Sequence, residues 1–277
     1  MSDFGQLGLF GASTAQKVDR AMAFRPSKIS LTVQFSDQCK SDKIDEIIKK
    51  IAKDLEKLDS KAVVSTKEEE KVSWQDLPFL ALDVETTGLD AAANRVIEFA
   101  MVPFNMPEEK AFSKLYSVGE SLPPEITSIT GITDDMLKDQ PPFGEHAEYC
   151  LKMLSRAAFV VAYNAKFDQP FLESEFARLG LVMPKLHWVD PFIFICELDR
   201  FKRGKKLTDA ANRWGVSIKN AHRAMDDAEA AGRLMFKMAE KIDSFTLDEL
   251  LDKQKIYHWR NEHNRAELKK ANTWNNR

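Results

Sequence analysis

The sequence lacks the features typical of secreted and membrane-spanning proteins. Its 277 residues include only three scattered cysteines, Cys39, Cys150 and Cys196, and no Cys-x-x-Cys pair. This pattern argues against a disulfide framework or a zinc site. No apolar run approaches the ~18 residues that span a bilayer, and no basic-then-apolar signal pattern opens the chain. We therefore expect a soluble, cytoplasmic protein with no membrane partner.

An excess of positive charge is also absent. The formal net charge is −3, so no global field attracts nucleic acid. A local basic cluster, Lys202-Arg203-Gly204-Lys205-Lys206, could do so, although a solvated loop explains it equally well. With 44% hydrophobic residues, the chain can bury one full domain core and a small additional module.

What the sequence does contain is an ordered set of acidic motifs. The first, Asp83-Val84-Glu85-Thr86-Thr87-Gly88, follows the apolar run Phe79-Leu80-Ala81-Leu82, which predicts a buried strand. Residues i and i+2 of a strand point to the same face, so Asp83 and Glu85 would present two adjacent carboxylates. Such close like charges favour a hard dication between them. The motif therefore predicts a metal site.

Two later motifs can complete that site. Asn164-Ala165-Lys166-Phe167-Asp168 follows a second apolar strand, and Asp168 opens a helical pattern whose dipole favours an ionised carboxylate. His222-Arg223-Ala224-Met225-Asp226-Asp227 precedes and enters a long helix. Four carboxylates and a histidine suit two-metal hydrolysis of a phosphodiester, with the histidine accepting a proton from water. Each motif alone is more often a strand end or a helix cap, and it is their joint order that indicates catalysis.

At these residues the chain resembles the DEDDh (DnaQ-like) 3′–5′ exonucleases, and most closely the proofreading epsilon-type subunits of bacterial DNA polymerase III. The resemblance covers roughly residues 77–242 and includes Pro123-Pro124-Glu125-Ile126 and Gly131-Ile132-Thr133-Asp134. It implies two Mg²⁺ or Mn²⁺ ions, a general base at His222, and metal ligands at Asp83, Glu85, Asp168 and Asp227. Asp226 competes for the last of these positions, but the family spacing selects Asp227.

The resemblance also implies contacts to the terminal nucleotide. They are assigned to Thr86, Thr87, Gly88 and Asn164, with Phe167 supporting the second motif by packing. Two departures, Thr130 and Tyr163, stand where relatives often carry histidine. Neither is a metal ligand, so we expect altered nucleotide contacts and unchanged chemistry.

Three functions remain open from the sequence. The first is a 3′–5′ exonuclease acting on single-stranded DNA 3′ ends in replication proofreading or repair. The second is an exoribonuclease that trims RNA 3′ ends, since the motifs do not report how the pocket treats a 2′-hydroxyl. The third is a clamp- or polymerase-binding adaptor with a vestigial nuclease site, which the presence of all five catalytic residue types disfavours.

The predicted fold class is α/β, with a mixed five-stranded sheet flanked by helices and a small N-terminal α+β module. The resemblance narrows the main domain to the ribonuclease H-like fold. We predict a flexible segment over 1–27, a strand–helix–strand module over 28–66 and a charged linker over 67–76. The exonuclease domain would span 77–243, and a helical tail with interleaved basic and aromatic residues would span 244–277. That tail could pack on the domain, dock a partner or contact nucleic acid.

The N-terminal segment contains a separate motif. Gln6-Leu7-Gly8-Leu9-Phe10 resembles the peptide by which bacterial replication proteins bind the sliding clamp. Its Gln6 would fix the register, and Leu7, Leu9 and Phe10 would fill apolar pockets. The alternative is that these side chains cover the domain surface. A sliding clamp and a polymerase subunit are thus the predicted protein partners.

Overall fold

The computed structural model describes residues 49, 50, 53 and 71–275 of the chain. The predicted clamp-binding peptide, the segment 1–27 and most of the strand–helix–strand module 28–66 lie outside the described residues. Lys71–Arg277 forms a compact unit of its own. No helix of the described ranges combines the length and apolar character needed to cross a membrane.

A five-stranded mixed sheet forms the centre of this unit, as the sequence predicts. Its strands are β1 (Phe79–Thr86), β2 (Val96–Phe104), β3 (Phe112–Leu115), β4 (Phe159–Val161) and β5 (Trp188–Val189). They are ordered β3-β2-β1-β4-β5, with β1–β2 and β2–β3 antiparallel and β1–β4 and β4–β5 parallel. The predicted strand β1 ends later than its apolar run suggests, because Asp83 and Glu85 lie within the strand.

Eight α-helices within residues 71–275 connect the strands or follow them in the chain, and helices pack on both faces of the sheet. They are α1 (Pro124–Thr130), α2 (Asp134–Leu137), α3 (Ala147–Leu154), α4 (Asp168–Arg178), α5 (Pro191–Leu198), α6 (Leu207–Arg213), α7 (Ala224–Ile242) and α8 (Leu247–Asn275), with 3-10 turns at Trp74–Asp76 and Phe143–His146. A capping box opens α8, since Thr246 Oγ1 accepts the Glu249 backbone N–H and Glu249 Oε2 accepts that of Thr246.

Each face of the sheet has its own apolar core. Phe79 and Ala81 of β1 pack with α5, α6, α7 and the start of α8, whereas Leu80 and Leu82 pack with α3 and α4. This alternation follows from the period of two along a strand. Because both faces are covered, β1 is apolar on both sides up to Leu82.

Residues 71–76, the end of the predicted linker, belong to this unit. Trp74 is fully buried, stacks on Phe236 and donates its indole N–H to the Ser244 carbonyl at 3.1 Å. A buried tryptophan with a hydrogen-bonded ring nitrogen is a core residue, which the neighbouring charges at 67–71 obscure in the sequence. The compact unit thus begins before the predicted domain boundary at 77.

Candidate active site

The first motif places its two acids on the face of β1 that α7 covers. Asp83 and Glu85 continue the odd-numbered face that Phe79 and Ala81 begin. Helix α7 lies close to this face at Gly232, where a Cβ atom would meet the Phe104 ring at 2.4 Å and Ala81 Cβ at 3.0 Å. The close approach of α7 brings its first turn, which contains Asp227, to the acidic end of the strand.

The second motif adds Asp168 from the other side of β1. A tight turn after β4 leads into α4, and Asp168 is its first residue. The Asp168 carboxylate accepts the Val84 backbone N–H at 3.2 Å and is only 2% exposed. Val84 lies between Asp83 and Glu85 in the chain, so this hydrogen bond fixes Asp168 beside the first motif.

The third motif brings His222 to the same place. One ligand atom from each of Glu85, His222 and Asp227 lies within 4.8 Å of the others, and this is the one such group of three or more metal-binding residue types in the described part of the chain. The Asp227 Oδ2 atom accepts the His222 backbone N–H at 3.0 Å. His222 itself is exposed and adopts a φ of 66°, a left-handed conformation that is uncommon outside glycine. Such strain is typical of functional sites.

The carboxylates at this site repel one another. Burial, then the charges of Asp168, Glu85 and Asp227, raise the pKa of Asp83 well above its usual value. Burial, then Asp227 and Glu98, raise the pKa of Glu85 to about 8. Burial also raises the pKa of Asp168 and of Asp227. A cation would relieve this repulsion directly.

One oxygen of the site has no partner at all. Asp227 Oδ1 is buried and accepts no hydrogen bond from the described residues. Since a buried carboxylate oxygen without a partner is costly, this atom is the clearest structural sign that the site accommodates something further. Oxygen atoms from several carboxylates are the ligands that Mg²⁺ and Mn²⁺ prefer.

Asp226 points away from the acid cluster. Its Oδ2 atom accepts hydrogen bonds from the backbone and side-chain nitrogens of Asn220, at 3.2 and 2.9 Å. It therefore stabilises the loop before α7, and the choice of Asp227 over Asp226 agrees with this geometry.

The residues assigned to the terminal nucleotide surround the first two motifs. Thr86 and Thr87 are buried, Thr86 donates to the Gly88 carbonyl at 2.6 Å, and Thr87 Oγ1 accepts the Arg95 backbone N–H at 3.0 Å. Asn164 is left-handed, with a φ of 67°, and Phe167 packs on Phe171 with 5.0 Å between ring centroids. These contacts order the turns, and nucleotide binding by the five residues stays a prediction.

The two departures from the family pattern have structural partners. Thr130 is buried, and its hydroxyl donates to the Ile126 carbonyl and accepts the Ile132 backbone N–H. The Tyr163 hydroxyl donates to the backbone carbonyl of Lys205. Thr130 thus closes α1, whereas Tyr163 joins the second motif to the basic cluster.

Sequence reasoning missed the ion pair that holds the third motif. Glu98 lies directly opposite Glu85 in the β1–β2 register and is 1% exposed. Arg223 binds it through two nitrogens, at 2.9 and 3.2 Å, and the Ala224 backbone N–H also donates to it. The pair fixes the start of α7 between His222 and Asp227. In the sequence, the signal for this ion pair was Glu98 itself, a single acid within the apolar run of β2, because a buried acid needs a partner.

A second missed residue, Asp190, holds the second motif. Its carboxylate accepts the backbone N–H groups of Asn164, Ala165 and Phe192, at 2.8, 3.2 and 2.9 Å. It therefore links the turn after β4 to the start of α5. An aspartate directly before a proline, at the end of an apolar strand, is a helix-start pattern that could have identified it.

Comparisons with known proteins agree with this arrangement. The family model described as RNase_T, exonuclease, matches residues 80–235. A DNA polymerase III PolC-type protein of Halalkalibacterium halodurans is 36% identical over 170 residues, which cover 60% of this chain and 12% of that protein. The chain thus matches only a small part of the length of such relatives.

Solved structures share the fold. Escherichia coli exonuclease I in complex with a dT13 oligonucleotide has a TM-score of 0.52 at 18% identity, covering 60% of this chain and 43% of that one. The zinc ion-bound form of the E. coli ExoI–ssDNA complex has a TM-score of 0.54 at 18% identity, covering 64% and 42%. At this identity the likeness confirms the predicted mixed-sheet, ribonuclease H-like architecture.

Proposed function

The chain belongs to the RNase_T exonuclease family, and from this premise we propose that it is a DEDDh-type 3′–5′ exonuclease that hydrolyses phosphodiester bonds at single-stranded DNA 3′ ends. The observation that carries the proposal is the convergence of the three acidic motifs. Glu85, His222 and Asp227 offer ligand atoms within 4.8 Å of one another, and Asp168 accepts the backbone N–H of Val84, next to Asp83. Asp227 Oδ1 is buried there without a hydrogen-bond partner among the described residues. A vestigial site would have no reason to keep four mutually repelling carboxylates together.

The residues present fit a pair of divalent ions. Asp83, Glu85, Asp168 and Asp227 would hold two Mg²⁺ or Mn²⁺ ions, because carboxylate oxygens suit hard cations. Burial first, and then the neighbouring acids, raise the pKa values of Asp83 and Glu85, and a bound cation would favour their ionised forms. When bound, such ions supply Lewis-acid activation of water and neutralise charge on the phosphate.

His222 would accept the proton of the attacking water. Only its backbone N–H is held by Asp227, so the exposed imidazole is free of that carboxylate's hydrogen bond. Glu98 and Arg223 keep the backbone beside it fixed. A general base needs both a defined anchor and access to solvent, and the start of α7 provides the two together.

Substrate placement follows from the turns beside the acids. We assign Thr86, Thr87 and Gly88 to one side of the terminal nucleotide, and Asn164 and Phe167 to the other. Gly88 allows its turn to lie against Asn94, whose side chain a Cβ atom would approach to 2.6 Å. Backbone groups of this turn would then be accessible to a sugar or phosphate.

A role in DNA replication proofreading or repair, in the cytoplasm, extends this proposal. Its support is the likeness to PolC-type polymerases, whose names connect them to replication. Association with a polymerase subunit, and binding of a bacterial sliding clamp through Gln6–Phe10, belong to the same proposal.

Replacing Leu9 and Phe10 with alanine should abolish clamp binding in titration calorimetry and leave hydrolysis of a free oligonucleotide unchanged. Absence of clamp binding by the wild-type protein would remove this extension.

The activity is tested with matched 5′-labelled single-stranded DNA and RNA, in Mg²⁺ or in EDTA. We expect a ladder that shortens from the 3′ end of the DNA and only with metal. A ladder on RNA alone would identify an exoribonuclease. No shortening of either substrate, in Mg²⁺ or Mn²⁺, would contradict the proposal and favour an adaptor.

A further inference from the structure

The loop between α5 and α6, residues 199–206, combines exposed charge with an exposed aromatic ring. Phe201 is 93% exposed, and Lys202, Arg203 and Lys206 are exposed around it. Within the described ranges these three cations form no ion pair, in a chain whose formal net charge is −3. We call residues 199–206 the basic loop.

Side-chain hydrogen bonds fix the backbone of the basic loop. Asp199 receives the Arg213 guanidinium at 2.8 Å and the Trp214 indole N–H at 3.1 Å. Arg213 also donates to the Arg203 carbonyl at 3.1 Å, and Lys205 donates to the Asp199 carbonyl. Lys205 is therefore used inside the loop, whereas the other three cations point outward from a defined backbone. The loop therefore presents Phe201 and these three cations to solvent from a braced backbone.

The basic loop is also attached to the second motif. The Tyr163 hydroxyl donates to the Lys205 carbonyl, and its ring packs edge-on against Phe192 at 5.8 Å. Tyr163 directly precedes Asn164 in the turn that leads to Asp168. The loop therefore has a fixed position relative to the turn that carries one of the site carboxylates.

From these contacts we infer that the basic loop binds single-stranded DNA on the 5′ side of the terminal nucleotide. Lys202, Arg203 and Lys206 contact phosphates, and Phe201 stacks on a base. This combination of cations and an aromatic platform is how proteins hold single strands without reading their sequence. The inference rests on the proposed nuclease function and adds to it a surface that retains the strand.

The test separates strand binding from chemistry by using two substrates. The p-nitrophenyl ester of thymidine 5′-monophosphate requires only the terminal nucleotide position, whereas a 20-nucleotide single strand also reaches the basic loop. In a Lys202→Gln/Arg203→Gln/Lys206→Gln variant we expect KM for the oligonucleotide to rise about 10-fold or more, with kcat and ester hydrolysis unchanged. Phe201→Ala should raise the same KM without altering its salt dependence.

Binding is measured independently by fluorescence anisotropy of a labelled oligonucleotide in EDTA. Loss of three phosphate contacts should reduce the slope of log affinity against log salt by about 2, since each contact on a single strand contributes about 0.7. The matched control is Lys114→Gln/Lys138→Gln/Lys152→Gln, which removes the same charge from exposed positions on other elements. The control should reproduce wild-type binding closely.

The outcomes are distinguishable. Failure of the wild-type protein to hydrolyse either substrate would overturn the proposed function, while the anisotropy would still decide whether the basic loop binds DNA. If the loop variant and the control variant bind the oligonucleotide equally well, with equal salt slopes, the inference is overturned even when both enzymes are active.

Discussion

Two groups of buried carboxylates in this molecule have opposite environments. Glu175 is 1% exposed and accepts hydrogen bonds from Arg95, Arg178 and the Val96 backbone N–H. Asp227 at the acidic site has a buried oxygen, Oδ1, that accepts no hydrogen bond from the described residues. Glu175 is thus paired with two arginines, whereas Asp83 and Glu85 lie near other acids that raise their pKa values. In this molecule, a buried acid surrounded by hydrogen-bond donors has a structural role, whereas a buried acid without them marks the proposed functional site.

Asp190 and Glu98 are, like Glu175, acids with donors on the chain, and they hold the segments that carry the acids of the site. Asp190 has three backbone donors although burial raises its pKa to about 6, and Glu98 has Arg223. Each anchors the backbone next to a site carboxylate. The hydrogen-bonded acids therefore hold the backbone segments that carry the site carboxylates. Substitutions in either group of acids can test this arrangement.

The largest expected effect follows removal of one site carboxylate. Asp83→Asn keeps the shape of the side chain but removes a proposed metal ligand, so nucleotide release should be abolished. Because mutual repulsion also falls, the melting temperature in EDTA should stay equal or rise. Gel-based nuclease assays and differential scanning fluorimetry measure the two quantities. Wild-type activity in this variant would refute the assignment of Asp83.

The next largest effect concerns His222. Substitution with alanine should lower kcat by roughly 10²–10⁴-fold, the range for loss of a general base, with the melting temperature unchanged because the side chain is exposed. Single-turnover kinetics across pH should show that the rise of the rate with pH on the acidic side of the profile, which deprotonation of a general base produces, disappears. A variant that retains the wild-type pH–rate profile would exclude His222 as the base.

Substitution of Glu175, an acid with donors on the chain, should change stability and leave activity unchanged. Glu175→Gln breaks the charge pair with Arg95 and should reduce the free energy of unfolding by about 3 kcal/mol, the lower end for a buried pair because Arg95 is partly exposed. Its kcat well below the melting temperature should be unchanged. Urea denaturation measures the difference, and Glu173→Gln, an exposed acid on the same helix, is the matched control. Equal stability of the two variants would undermine the comparison.

The last expected effect is a pH dependence of stability without metal. The pKa of Glu85 rises from 4.5 to about 8 in the folded protein, so between these values the unfolded chain has lost a proton that the folded chain retains. Stability in EDTA should therefore fall as the pH rises from about 5 to 8, and Mg²⁺ at pH 8 should restore it. Scanning fluorimetry provides the measurement. In Glu85→Gln the slope should be shallower, and a melting temperature that rises with pH in EDTA would oppose this account.

The order and type of most elements followed from local pattern. Continuous apolar runs indicated the buried strands before the first two motifs, and period-3.6 apolar spacing indicated the long helix Ala224–Ile242. The capping box before Leu247 was likewise visible, since the two residues that cap the helix are three positions apart. Trp74 was missed because its burial depends on residues about 170 positions away.

The sequence by itself determined which residues are proposed to carry the chemistry, since the acids and the histidine occur in short motifs with fixed spacing. Only the tertiary structure decided which acids remain without partners. Glu98 and Glu85 lie thirteen positions apart in sequence yet face each other across two strands, and Arg223 reaches Glu98 from 125 residues away. Local spacing cannot report such distant donors, because whether a buried charge is satisfied depends on what the fold brings to it.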